Sequence, residues 1–137
     1  MNEEIELVTF NKVIQSEHYT VFLLGTKEKH FPIYTEPKVG QNLEAFLTNQ
    51  KSPRPQTFDL MSSIFRSFDI KPLQVLFHDV EDNVYFCRLF LEQTKGEARE
   101  ILEIDTRPSD ALTIALMYDI PIFCTKELLL KAPHVDF

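Results

Sequence analysis

Runs of β-branched and aromatic residues predict three strands in the first third of the chain, over residues 5–14, 19–25 and 31–35. Pro37 interrupts this pattern because proline cannot donate a backbone hydrogen bond to a neighbouring strand. Apolar residues then recur at helical spacing and predict a helix over 38–49. The chain therefore opens as a β-β-β-α unit.

A second helix is predicted after a short connector that contains Pro53 and Pro55. Two prolines remove two donors and force the residues before them toward extended conformations, so the connector cannot be regular structure. Thr57 has the side chain of an N-cap, and Asp59 in the first turn suits the positive end of the helix dipole. The predicted buried stripe of this helix consists of Leu60, Ile64, Phe65 and Phe68.

The second half of the chain repeats this order. Strands are predicted over 73–80, 84–91 and near 100–104, then a helix from Pro108, a strand over 121–124 and a last helix capped by Thr125 and ending at Lys131. The helix after Pro108 is apolar on nearly every face between residues 111 and 117. Such a helix belongs either at the centre of a fold or in a subunit contact.

Two pairs of segments match across the halves. Ile33-Tyr34-Thr35-Glu36-Pro37 and Ile104-Asp105-Thr106-Arg107-Pro108 share Ile-x-Thr-x-Pro, and the helix starts at Thr57 and Thr125 share Thr-x-acid-Leu. Matches in the same order predict an internal duplication. The expected fold is α+β: one domain over 1–137 with a duplicated β-β-β-α-type unit, repeat halves of about 5–70 and 72–131, and a mixed, mostly antiparallel sheet with packed helices.

The charge balance restricts the partners of this chain. A net charge of −7 opposes binding to a polyanion through overall attraction, so any nucleic-acid site must be local.

Cys87 and Cys124 lie inside apolar runs without the spacing of a zinc or redox pair, and we expect reduced core thiols. The sequence shows no basic segment followed by an apolar export signal and no membrane-length apolar run, which favours the cytoplasm and no membrane contact.

The residues best suited to binding or catalysis follow the third predicted strand of the second half. A helix start offers free N–H groups and positive potential, and Arg107 adds donors that suit phosphate. A phosphodiester could dock there while Asp105 or Asp110 binds a divalent cation. Alternatively, both carboxylates pair with Arg107 and close the cluster to outside ligands.

Arg107-Pro108-Ser109-Asp110-Ala111, together with the Pro53-Arg54-Pro55 segment and Thr57-x-Asp59-Leu60 that follows it, resembles the signature of the bifunctional nuclease domain family. Members of that family were named for activity on DNA and RNA, and the similarity runs from about residue 19 to 130. By this resemblance the catalytic positions are Asp105, Arg107, Asp110 and Asp59, and the substrate-binding positions are Arg54, Thr57 and Ser109. The family usually carries a histidine where this chain has Phe58, so that histidine's role is lost here.

Three functional hypotheses remain open. The first is a metal-assisted nuclease that acts on DNA or RNA with Mg²⁺ or Mn²⁺, as the resemblance implies. The second is a non-catalytic, oligomeric module that binds an anion or a partner carboxylate for regulation. The third is an interaction domain without a small-molecule site. The apolar helix over 109–118 and the twelve phenylalanines also predict a homo-oligomer, most simply a twofold dimer.

Overall fold

A computed structural model describes residues 4–50 and 52–134, and its centre is a seven-stranded sheet. The elements are β1 Ile5–Gln15, β2 Thr20–Gly25, β3 His30–Thr35, α1 Pro37–Leu47, α2 Thr57–Ser67, β4 Ile70–Glu81, β5 Val84–Lys95, β6 Ala98–Thr106, α3 Pro108–Tyr118, β7 Ile122–Thr125 and α4 Lys126–Lys131. The strand order is β3-β2-β1-β7-β4-β5-β6, with β4 and β7 paired in parallel and the neighbouring pairs otherwise antiparallel. The α+β fold with a mixed, mostly antiparallel sheet is confirmed.

The sheet contains two three-stranded meanders, β1-β2-β3 and β4-β5-β6. Strand β7 lies between β1 and β4 and joins the meanders into one sheet. The first residues of β1, 5–8, pair with β7, while residues 9–15 pair with β2. Since β7 is antiparallel to β1 and parallel to β4, the two meanders run in opposite directions on either side of β7. The two meanders are similar in strand order, but β7 between them has no counterpart strand in the described part of the first half, and the duplication stays a prediction.

One face of the sheet is buried at β5, where helix α3 packs. Strand β5 alternates between buried residues such as Cys87 and Leu89 and more exposed residues such as Phe86 and Arg88, so its two faces differ sharply. Helix α3 packs on this buried face, and its residues 111–115 are all buried within one chain. The predicted central helix is confirmed, and its apolar surface no longer argues for a subunit contact.

Helix α1 approaches the sheet closely at Gly40. The Gly40 N–H donates to the Thr20 hydroxyl at 3.2 Å, and a Cβ at Gly40 would lie 2.6 Å from that same oxygen. The Gln15 side chain also donates to the Pro37 carbonyl. Glycine therefore lets α1 rest against β1 and β2, which fixes where the first turn of α1 points.

The beginning of α2 differs from the prediction. Gln56 is the N-cap, and its backbone N–H donates to the Asp59 carboxylate at 2.8 Å. Thr57 is already the first helical residue, so its assignment as N-cap was wrong. Asp59 does lie in the first turn, where it caps the helix as well as complementing the dipole.

The buried face of α2 was also predicted wrongly, except at Phe65. Leu60, Ile64 and Phe68 are 58%, 44% and 61% exposed, whereas Phe58 and Met61 pack against the core beside Phe65. An α-helix turns about 100° per residue, so these two sets lie on different faces. Both sets are apolar, and the sequence pattern alone could not decide which one faces β4.

Both cysteines are buried and free. Phe77 of β4 stands between them, because it pairs with Cys87 on one side and Cys124 on the other. This confirms two core thiols.

In the described ranges, no helix combines the length and apolarity needed to cross a bilayer.

Candidate functional site

Three helices begin at one cavity of about 810 Å³, which we call the helix-start cavity. The N-cap residues Glu36 of α1, Gln56 of α2 and Arg107 of α3 all line it. The first N–H groups of a helix have no partner within the helix, and its dipole makes that end positive. Three such ends at one cavity favour an anionic ligand.

Arg107 combines an internal ion pair with a large exposed surface. Its Nε and Nη2 donate to the two carboxylate oxygens of Asp110 at 3.0 and 3.3 Å, yet its side chain is 74% exposed. Its other three N–H groups have no acceptor among residues 4–50 and 52–134. The Asp110 carboxylate, through its hydrogen bond and its charge, raises the pKa of Arg107, and Glu36 adds a smaller electrostatic contribution. Arg107 is therefore a permanent cation with one edge open to a ligand.

Asp105 lies apart from this cluster. It pairs in register with Arg88 on β5, and it is exposed on the sheet face opposite the core. Arg88 forms its ion pair with Glu103, and no ion pair joins Asp105 to Arg107 among the described residues. Of the closed network considered from the sequence, only the half between Asp110 and Arg107 forms. Asp105 lies beside Arg88 on the exposed side of β6 and lines neither of the cavities around α3.

A second cavity of about 620 Å³ adjoins the first, and we call it the aromatic cavity. The residues that line both are Asn42, Pro55, Gln56, Phe58 and Thr113. Arg54 and Asp59 line the aromatic cavity, whereas Thr57, Arg107, Ser109 and Asp110 line the helix-start cavity. The structure thus brings six of the seven sequence-predicted site residues to two adjoining cavities and leaves Asp105 outside; their roles stay predictions.

The polar groups on the walls of the two cavities differ in whether they already form hydrogen bonds within the protein. Asp59 accepts the Gln56 N–H and so has a structural task in α2. The Ser109 carbonyl accepts from the Thr113 hydroxyl at 2.8 Å. The side-chain hydroxyls of Thr57 and Ser109 form no hydrogen bond within the described part of the chain, so they remain available to a ligand.

The carboxylates do not gather into an enclosed metal site. Among residues 4–50 and 52–134, no three His, Cys, Asp or Glu side chains are placed to share a metal ion. Glu36 and Asp110 both line the helix-start cavity. Mg²⁺ is commonly held by one or two carboxylates with substrate phosphates and water completing its shell, so a cation at this cavity would have to be held in that way.

Cys87 lies beneath the junction of β6 and α3. Its Sγ donates to the Thr106 carbonyl at 2.9 Å. Burial raises the pKa of Cys87 to about 12, and the charges of Asp105 and Asp110 add to the rise. A thiol this hard to ionise is a structural residue rather than a nucleophile.

Several residues of the two cavities were missed in the sequence. Matching positions of α1 and α3 line the same cavities: Glu36 and Arg107, Lys38 and Ser109, Val39 and Asp110, Asn42 and Thr113, and Phe46 and Met117. Each pair is separated by the same interval as the two Ile-x-Thr-x-Pro segments. Continuing that alignment into the helices would have found them.

The family model of the bifunctional nuclease domain matches residues 21–136. The chain belongs to this bifunctional nuclease domain family. The match contains both cavities and all seven predicted site residues. The resemblance inferred from the Arg-Pro-Ser-Asp-Ala segment is therefore confirmed.

Relatives of this family member include uncharacterised proteins and plant proteins named as bifunctional nucleases. An uncharacterised protein of Mycobacterium tuberculosis is 24% identical over 127 residues, covering 88% of this chain and 71% of that protein. Bifunctional nuclease 1 of Arabidopsis thaliana is 33% identical over 86 residues, covering 63% of this chain but 26% of that protein. A bifunctional nuclease 1 of Oryza sativa subsp. indica is 29% identical over 80 residues, 24% of its length. The chain spans only about a quarter of the plant nucleases.

Proposed function

We propose that this protein is a metal-assisted nuclease that hydrolyses phosphodiester bonds of DNA and RNA, with the substrate phosphate in the helix-start cavity. The observation that carries the proposal is the meeting of three helix starts with the open edge of Arg107. Family membership and the likeness to plant bifunctional nucleases give the reaction class. Because attraction is confined to one cavity of an acidic protein, the ligand is recognised through few phosphates.

The residues around Arg107 have separate tasks in this proposal. Arg107 donates to the phosphate through the edge that Asp110 leaves open, and the Thr57 and Ser109 hydroxyls add donors from two sides. Hydrolysis adds water across one P–O bond, which leaves a phosphate monoester and a free hydroxyl. A divalent cation, Mg²⁺ or Mn²⁺, supplies Lewis-acid stabilisation of the charge on phosphate when bound. Of the three aspartates predicted from the sequence, Asp110 lines the helix-start cavity and is the proposed ligand, Asp59 lines the adjoining cavity, and Asp105 lies outside both.

The first test incubates the purified protein with single-stranded DNA and RNA in Mg²⁺, Mn²⁺ or chelator. We expect cleavage that requires the cation and falls at least about 100-fold in Arg107→Ala, as for loss of a transition-state donor. Arg99→Ala is the matched control, because Arg99 lies at the far end of β6 and lines neither cavity. Cleavage that survives Arg107→Ala, or that Arg99→Ala removes equally, would contradict the proposal.

A non-catalytic anion-binding or regulatory module is the second candidate. The bidentate pair between Arg107 and Asp110 and the apolar Phe58 between the two cavities favour it. This candidate predicts binding of single-stranded nucleic acid or small phosphates that depends on Arg107 but gives no product with either cation. Binding that depends on Arg107, without any cleavage of the bound substrate, would favour this module over the nuclease.

We also propose a twofold homodimer, now through the exposed α2 stripe rather than through α3. Leu60, Ile64 and Phe68 form an apolar row on the outside of α2, and such rows mark contact surfaces. Light scattering at micromolar concentration should give twice the mass of one chain. Ile64→Glu should give the mass of one chain with an unchanged circular dichroism spectrum. A wild-type monomer at that concentration contradicts the dimer.

A further inference from the structure

The two adjoining cavities differ in chemistry in the way that the two parts of a nucleotide differ. The helix-start cavity offers three helix starts, the hydroxyls of Thr57 and Ser109, and Arg107. The aromatic cavity offers the rings of Phe46 and Phe58 and the thioether of Met117. Phosphate is an anion that needs donors, whereas a nucleobase has an apolar face and a polar edge.

The walls of the aromatic cavity supply a surface for a base. Phe46 is 42% exposed, so part of its ring is free for contact. Phe58 and Met117 form further apolar wall, with the Phe58 side chain only half-buried. Flat, exposed aromatic rings are the usual platform on which bases stack, and every base has a suitable face.

Two amide side chains at this cavity are unengaged. The amides of Asn42 and Gln50 form no hydrogen bond within residues 4–50 and 52–134, although both residues line the aromatic cavity. An amide offers both a donor and an acceptor, which matches the mixed edge of a nucleobase. Asn42 also lines the helix-start cavity, so it lies where the sugar between base and phosphate would pass.

From these observations we infer that the aromatic cavity binds an unpaired nucleobase of the strand whose phosphate occupies the helix-start cavity. The inference rests on the proposed phosphate site and narrows its substrate to single-stranded or locally unpaired nucleic acid. A base inside a duplex has both faces stacked and its edge paired, so it can enter such a pocket only after it leaves the helix. A volume of about 620 Å³ lies within the usual range of small-molecule sites.

The test compares two fluorescent oligothymidylates that differ only in whether the central nucleotide carries its base or is abasic. Binding is measured by anisotropy in chelator and again with Ca²⁺, so that no cleavage interferes. We expect the wild type to bind the base-containing strand at least about fivefold more tightly than the abasic strand. Phe46→Ala should lose this preference yet bind the abasic strand as the wild type does, while Phe46→Tyr should keep the preference.

The control Phe86→Ala removes another exposed phenylalanine, on β5, that lines neither cavity and lies outside the proposed dimer stripe, and it should leave the preference unchanged. Equal binding of both strands by the wild type, weakened for both by Arg107→Ala, overturns the base pocket and leaves the phosphate site standing. Arg107-independent binding, or no binding of either strand, overturns the proposed function itself. Duplex DNA that competes as well as the single strand also overturns the base pocket.

Discussion

Helices α1 and α3 begin with nearly the same backbone and end in different environments. Their N-cap residues Glu36 and Arg107 have φ and ψ of −65° and 149° and of −67° and 145°, and a proline follows each. The side chains, however, carry opposite charges at one cavity, and α3 is buried over 111–115 where α1 buries only Gly40 and Leu43. The shared Ile-x-Thr-x-Pro segment gives the two helix starts the same local geometry, and the residues after it decide how much of each helix is buried in the core.

The segments that follow the two helices sharpen the contrast. After α3, the chain forms β7 and then α4, which packs on β4 and is capped by the Thr125 hydroxyl accepting the Leu128 N–H at 3.1 Å. After α1, the segment that corresponds in sequence to β7 is a connector with Pro53 and Pro55. The first turn of α2, which follows this connector, lines both cavities. Only the first half therefore contributes two helix starts to the site.

The largest effect should come from truncating α3 where α1 has an exposed residue. Leu112 is fully buried, and its counterpart in α1 is the exposed Gln41. Leu112→Ala should lower the free energy of unfolding by about 2–5 kcal/mol through lost burial and a cavity, whereas surface changes such as Gln41→Ala stay within about 0.5 kcal/mol. Urea unfolding followed by circular dichroism measures both. Similar losses for the two variants would show that α1 and α3 do not differ as described.

A smaller loss is expected at the contact between α1 and the sheet. Gly40→Ala should cost about 1–3 kcal/mol, because the new methyl group meets the short Thr20 side chain and outweighs the better helix propensity of alanine. Ala111, its counterpart in α3, already fits with a Cβ. The companion Thr20→Ser, Gly40→Ala double variant removes one of the contacting methyl groups and should recover part of the loss. Stabilisation by Gly40→Ala alone would contradict the close contact.

The sequence predicted the helices and strands well because the residues that start and end them act locally. Pro37 and Pro108 mark helix starts, and the strands between them carry β-branched residues at the expected positions. The face of α2 could not be predicted, since two apolar stripes compete and only tertiary packing against β4 selects one. Asp105 is grouped with Arg107 by its place in the sequence, but the Arg107 guanidinium pairs with Asp110 of α3 and Asp105 lines neither cavity. Glu36, Asn42 and Phe46 were missed because their role depends on α1 meeting α3.

Removing the negative charge of Glu36 at the start of α1 should strengthen anion binding modestly. Glu36 and Arg107 face one cavity, so Glu36→Gln removes a repulsive charge and should tighten oligonucleotide binding roughly twofold to fivefold at low salt. Glu100→Gln makes the same change on β6, at the opposite end of the strand from Arg107, and should change affinity less. Anisotropy titrations measure both. The gain should shrink as ionic strength rises, and a gain that is insensitive to salt would indicate another cause.

The smallest change in stability is expected for Asp110→Asn. The pair it breaks spans three positions on α3 with the Arg107 side chain 74% exposed, so the free energy of unfolding should fall by no more than about 0.5 kcal/mol. Affinity for oligonucleotide should rise, because the whole guanidinium becomes available to phosphate. Cleavage measured on the same variant separates two roles: a fall in rate despite tighter binding assigns Asp110 to the reaction, whereas a rise in both means that Asp110 only restrains Arg107. Weaker binding would mean that Arg107 needs Asp110 to hold it toward the cavity, and the two N-caps would then differ in side-chain support as well as in charge.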